Sequence, residues 1–394
     1  MDNIWFPGGD PTDKHLCWVR DLTGTYNVDP ARLKAQGGGA DPAHQRILVG
    51  SYTTGGLGGP VCQPGTVWSE AIAQYTAITI QSLAGDPLGQ ASAETISTYK
   101  VIRAVAQVEC AGCFDGVNGW DVARVSLGPY NFALFLRGAQ AELPAFLSFL
   151  ATTAPDDFNA AFARYGIDTA EPWPVDAAPI QNKLYDRTAR KWVTYLKQRG
   201  LEIVPGSRII SLAGNPVVIG NDADYFRNWH WSYRWVMACR VFPNIWRQCW
   251  DFCRYRLQAL LQAELPATAG LPDHTTLGQV FTSEYAVTAL LRAHVNMPTS
   301  VIMQRRASDT IANSVANSKP NDPNANDPAQ WTNDQHQRVD KALVDALIAL
   351  AAGKHWPYAN DMMTALNYAI PLQPPPAPGT NLIRDAGSFQ FRAP

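Results

Sequence analysis

The stretch Val105-Ala-Gln-Val-Glu109-Cys-Ala-Gly-Cys113-Phe-Asp115-Gly-Val-Asn118-Gly-Trp120-Asp121-Val-Ala-Arg-Val-Ser126-Leu-Gly128-Pro-Tyr130-Asn131-Phe132 changes its period more than once. Upstream of Glu109, apolar residues fall at Ile96, Tyr99, Ile102, Val105, Ala106 and Val108. That is close to helical spacing, with Ser92 or Thr95 available as the cap, and Gly112 stops the run. Asp115-Gly116 and Asn118-Gly119 are hairpin-type turn pairs, and Val122–Gly128 alternates like a short strand. Pro129 suits a first helical turn, so Tyr130–Leu136 is expected to be helical. Helix, hairpin and strand in that order predict a small β element set in a mostly α chain.

Working outward, Gly37-Gly38-Gly39 and Gly55-Gly56-Leu57-Gly58-Gly59-Pro60 mark residues 1–65 as a loop-rich N-terminal arm. Further helices are expected at 142–152, 156–165, 178–199, 223–263, 276–295, 298–317 and 335–352, with a hairpin at Ser207–Ile219. The run Lys319–Asn333, rich in Asn, Asp and Pro, is a surface linker. The expected division is therefore an arm at 1–65, a mostly helical region at 66–318 carrying the candidate site, a linker at 319–333, and C-terminal helices with a Pro-rich tail at 334–394.

Composition removes several function classes. Of the 394 residues 46% are hydrophobic and 17% charged, with 32 Lys+Arg against 34 Asp+Glu. No basic excess marks a nucleic-acid partner. The most apolar stretch, Phe132–Ala154, is broken by Arg137, Glu142 and Pro144, so no membrane span is expected. The first residues lack the basic region and apolar core of a secretory signal, which predicts synthesis in the cytoplasm. Seven cysteines (17, 62, 110, 113, 239, 249 and 253) form an odd, scattered set without zinc spacing. Cys110/Cys113 and Cys249/Cys253 are read as packing, and neither a metal nor a cofactor is expected. Phosphate-loop, serine-elbow and zinc-protease motifs are absent from the sequence.

Glycoside hydrolysis uses a carboxylic acid to protonate the leaving oxygen and a second group to stabilise the oxocarbenium-like charge or place water. Glu109 at a helix end, where the negative end of the dipole disfavours ionisation, suits the first role. Asp121 beside the hairpin suits the second, with Asp115 as the alternative carboxylate. Glu109, Phe114-Asp115-x-Val117-Asn118-x-x-Asp121 and Val125-Ser126-Leu127-Gly128 together resemble the lysozyme superfamily, phage-type lysozymes in particular, and more distantly the chitosanases. The resemblance spans about residues 94–136. It departs from the phage-type pattern in a longer Glu-to-Asp interval and in Ser for Thr. It implies a lysozyme-like α+β core with a small β-hairpin and additional helices. It also implies Glu109 as general acid, Asp121 as the hairpin carboxylate and Ser126 as the hydroxyl that helps place water. The substrate implied is peptidoglycan or a related amino-sugar polymer, reached after lysis, virion penetration or secretion-system delivery.

Trp120, Tyr130 and Asn131 are the nearby candidates for sugar contact. Trp231 and Trp235 are further candidates, from a segment where Arg240, Arg247 and Arg254 repeat every seven residues. Its other reading is an aromatic stripe of a core helix. Glu284 is expected to be exposed, and His294 to sit as a cation at a helix C-terminus. The rival to an enzyme is a non-catalytic component of a phage tail or injection particle that kept the lysozyme-like fold.

Overall fold

The computed structural model describes residues 4–5, 16–20, 46–53, 56–58, 80–87, 89–110, 117–118, 123, 125–136, 139–163, 167–173, 185–186, 191–192, 196–198, 238, 242–297, 300–301, 306–353, 359, 362, 387–389 and 391. By internal contacts the chain divides into two compact units, Met1–Ile78 with Cys113–Phe252, and Thr79–Gly112 with Cys253–Pro394. The described residues are mostly helical, with small antiparallel sheets.

The first unit opens with a four-stranded antiparallel sheet in the order β1 (Ile4–Trp5), β2 (Leu16–Arg20), β3 (Arg46–Thr53), β4 (Gly56–Gly58). The expected loop-rich arm thus contains a sheet. β2 and β3 carry few turn residues, whereas the glycines that dominate the local composition lie largely outside them. A register shift at Cys17/Trp18 breaks the alternation in β2, which hides the period of two from a sequence reading.

After the helix bearing Glu109 comes a three-stranded antiparallel sheet of β5 (Val117–Asn118), β6 (Ser126–Leu127) and β7 (Phe132–Ala133). Ser126 pairs with Asn118 on one side and with Ala133 on the other. Tyr130–Leu136, expected to be helical, is a turn followed by β7 and β8 (Phe135–Leu136), which pairs with β9 (Ala139–Gln140). The reason is local. Gly128 at φ +79 and Asn131 at φ +50 are both left-handed, and Asn131 N–H bonds to Gly128 O at 3.0 Å, closing the turn around Pro129. A side chain at Gly128 would also meet Cys249 Sγ and the Phe132 ring at 3.3 Å.

Helix α3 (Glu142–Thr153) is buried at every position from Glu142 to Leu150, as a helix apolar all round must be. Phe146 and Phe149 from α3 meet Phe132, Trp173 and Phe252 with ring centroids 5.2–5.7 Å apart. Edge-on pairs in this cluster fix ring orientation beyond simple area burial. After α4 (Pro155–Ala161), β10 (Ile167–Thr169) pairs with β13 (Leu196–Gln198), and β11 (Tyr185–Asp186) with β12 (Lys191–Trp192). The helix expected at 178–199 is therefore corrected to short strands. β10 and β13 pair far along the chain, as in Ile167 with Gln198, and β11 and β12 are two residues each, too short to show a local period. The hairpin expected at Ser207–Ile219 lies outside the described residues.

The second unit contains α1 (Ile80–Ala84), α2 (Ala93–Cys110), the end of α5 (Pro243–Leu261), α6 (Leu277–Val280), α7 (Glu284–Asn296), α8 (Arg306–Ser318) and α9 (Asn333–Ala352). The division falls inside α5, between Phe252 and Cys253. Helix expectations hold for α2, α3, α8 and α9. The one expected at 276–295 is α6 and α7, separated at Phe281–Ser283, where Ser283 Oγ accepts from Ala286 N–H at 3.1 Å and caps the second. α9 starts on a reciprocal box, Thr332 N–H to Gln335 Oε1 at 2.7 Å and Gln335 N–H to Thr332 Oγ1 at 3.3 Å. Between α8 and α9 the expected surface linker is partly anchored, since Trp331 is buried and its Nε1 donates to Asn324 O. Cys249 and Cys253 are buried, 2% and 0% exposed, as small hydrophobes in a core are.

His336 ties two pieces of this unit together, with Nδ1 at 3.0 Å from Val280 O and Nε2 at 3.0 Å from Pro328 O. One turn later Asp340 is 3% exposed, and neither carboxyl oxygen makes a well-formed hydrogen bond. Burial pushes its carboxyl up to about 7, and the Ser283 hydroxyl offsets only part of that shift. An acid raised in the fold above its unfolded value holds its proton longer when folded. Stability from this group is therefore full below about pH 4, falls as pH rises toward 7, and is flat above. Asp340→Asn is expected to be near neutral at pH 4 and to stabilise by about 2 kcal/mol at pH 8. Denaturant unfolding at the two pH values measures the difference.

Candidate functional site

Glu109 lies in the last turn of α2, and α2 packs along α7. The two helices run in the same direction, because residues 97 and 100 meet 284 while 109 meets 292. At one end Lys100 Nζ lies 3.5 Å from Glu284 Oε1, which also accepts from Ser97 Oγ at 2.7 Å. At the other end Arg292 Nη1 donates to Glu109 Oε1 in an ion pair. The side chains are 11% exposed for Glu109 and 3% for Arg292. A carboxylate at a helix C-terminus faces the negative end of the dipole, and the guanidinium supplies the compensating charge.

Two expectations about this helix pair are corrected. Glu284, expected to be exposed, has no exposed surface, because the Ser97 hydroxyl and Lys100 ammonium replace its water. His294, expected as a cation, is 3% exposed, and its pKa is lowered well below 6.5 by burial and then by the Arg256 charge. Arg256 Nε donates to His294 Nδ1 at 3.2 Å and Arg256 Nη2 to His294 O at 2.9 Å. With Nδ1 accepting, the ring is neutral and carries its proton on Nε2. Sequence reading missed Arg292. Its signal was a lone arginine within the apolar run Ala289-Leu290-Leu291-Arg292-Ala293, which in a buried helix demands a carboxylate partner.

The other candidates fall in the first unit or outside the description. Ser126 is 3% exposed at the centre of the three-stranded sheet. Tyr130 is 1% exposed, and its ring packs edge-on against Phe132 at 6.0 Å. So placed, it is a core ring with no face turned to a sugar. Asn131 is half-buried at the turn. Asp115, Trp120, Asp121, Trp231 and Trp235 lie outside the described residues. Among the described residues, no group of three or more His, Cys, Asp or Glu side chains is arranged to hold a metal ion, and no helix is long and apolar enough to cross a membrane.

No protein-family model matches this chain, and no curated protein or solved structure matches it.

A groove of about 710 Å³ opens in the second unit, lined by residues from 272–282 and 326–329. Its polar groups are largely taken up by local structure. Gln279 Oε1 accepts from Thr276 N–H, Asn326 Oδ1 from Lys319, and Asp327 Oδ1 from Ala329 N–H. His274, at φ +67, pairs with Glu264 across 3.0 Å, which raises its pKa. Both side chains are exposed, so the pair is worth little.

Proposed function

We propose that this chain is a glycoside hydrolase that cleaves the glycan strand of peptidoglycan, with Glu109 as the proton donor. The observation that carries the reading is a carboxyl fixed in the last turn of a helix by Arg292, with a small antiparallel sheet following directly in the chain. That local order is the one the resemblance implies. In this reading the Glu109 carboxylate, ion-paired with Arg292, takes up a proton as the glycan binds and gives it to the glycosidic oxygen as the bond to the anomeric carbon breaks. Arg292, on Oε1, sets the direction in which the carboxyl points. The resemblance assigns the developing positive charge to Asp121, with Asp115 as the alternative, and the placing of water to Ser126.

The test is digestion of purified cell walls by the whole chain, read as new reducing ends and as muropeptides. Partially deacetylated chitosan serves as a second substrate and separates the chitosanase-type alternative. One observation favours a non-catalytic component of a phage tail or injection particle. The Glu109–Arg292 pair is about nine-tenths buried at both ends, as a structural tie between two helices is. No reducing ends from either polymer, with firm association to a particle, decides for that second reading.

A further inference from the structure

Residues 387–389 dock onto the second unit far from their neighbours in sequence. Gly387 N–H donates to Thr282 Oγ1 at 2.8 Å, and Phe389 N–H to Thr282 O at 2.7 Å. Alternate amides of the segment thus read one residue. Ser388 O accepts from Ser97 Oγ at 3.2 Å, and Phe389 is 4% exposed.

We propose that Ser97, Thr282 and the first turn of α7 form a peptide-binding slot. Its occupant is the chain's own segment Gly387-Ser388-Phe389, a strap that the same sequence supplied as a free peptide can replace.

Three features make the occupant displaceable. The single Ser97 hydroxyl proton is shared between Glu284 Oε1 at 2.7 Å and Ser388 O at 3.2 Å, so the shorter bond dominates and the segment receives the weaker one. Ser388 Oγ is buried without a hydrogen-bond partner, which works against docking. Gly387 sits at φ +72 with open space around it, so its backbone, and not crowding, requires glycine.

The experiment uses the full chain carrying Phe389→Ala, to which a labelled synthetic peptide of residues 386–394 is added. Fluorescence anisotropy reads binding, and amide exchange reads protection at Glu284–Val287. Saturable binding that restores protection is expected. A Ser388→Ala peptide should bind about fivefold to tenfold more tightly, because the unpartnered hydroxyl is gone. A Gly387→Ala peptide should bind about fivefold more weakly through backbone strain. A Phe389→Ala peptide should lose about 100-fold or more. If the Phe389→Ala chain does not fold, the full chain with the milder Gly387→Ala replaces it. No binding at millimolar peptide, or the same affinity for all four peptides, overturns the proposal.

Discussion

Glu109→Gln is expected to cut the release of reducing ends from purified cell walls by about 10²–10⁴-fold, the usual worth of general-acid assistance. Glutamine keeps the length of the side chain and still accepts a hydrogen bond from Arg292, but it has no proton to deliver at neutral pH. The substitution also has a structural consequence. Arg292 is 3% exposed, and with glutamine opposite it the guanidinium loses a buried counter-charge. A loss of about 1–3 kcal/mol in unfolding free energy is expected, since a hydrogen bond survives where an ion pair stood. Activity must therefore be measured well below the variant's Tm, with circular dichroism confirming the folded fraction. Wild-type turnover by Glu109→Gln, with loss at Asp121→Asn or Asp115→Asn, would move the proton donor elsewhere. A variant that changes stability while neither it nor the wild type cleaves either polymer supports the structural reading.

Arg292→Met is expected to destabilise the protein by about 3–5 kcal/mol, the cost of breaking a buried pair from one side. The methionine fills much of the volume but withdraws the positive charge from a carboxylate that is 11% exposed. Arg292→Lys should lie between, because an ammonium is a point charge and cannot reproduce the guanidinium's planar set of donors. The double variant Glu109→Gln, Arg292→Met removes both charges and should be more stable than Arg292→Met alone. Denaturant midpoints for the four members of this cycle give the coupling between the two residues. Coupling within error of zero would show that the pair is not what joins α2 to α7. In the enzymatic reading Arg292→Lys also lowers kcat more than it raises KM, because the carboxyl is misdirected while the glycan is still bound.

The sequence by itself determined the helices whose information is local. α2, α8 and α9 follow from apolar spacing and caps, and the all-apolar α3 from a run long enough to be a buried helix. It also placed Glu109 at a helix end before a small β element. Only the tertiary structure decided what depends on partners distant in the chain. The pairings of β1 with β2, β2 with β3 and β10 with β13 join residues well separated in sequence. The turn at Gly128–Asn131 required two left-handed residues where Pro129 alone suggested a helix. Glu284 reversed from exposed to buried because Ser97 and Lys100 replace its water, and His294 from cation to neutral ring because burial and the Arg256 charge lower its pKa. Arg292 reaches Glu109 across 183 residues of sequence. A charge on an apolar helix face announces that a partner is needed, but only the packing of α2 along α7 names which carboxylate it is.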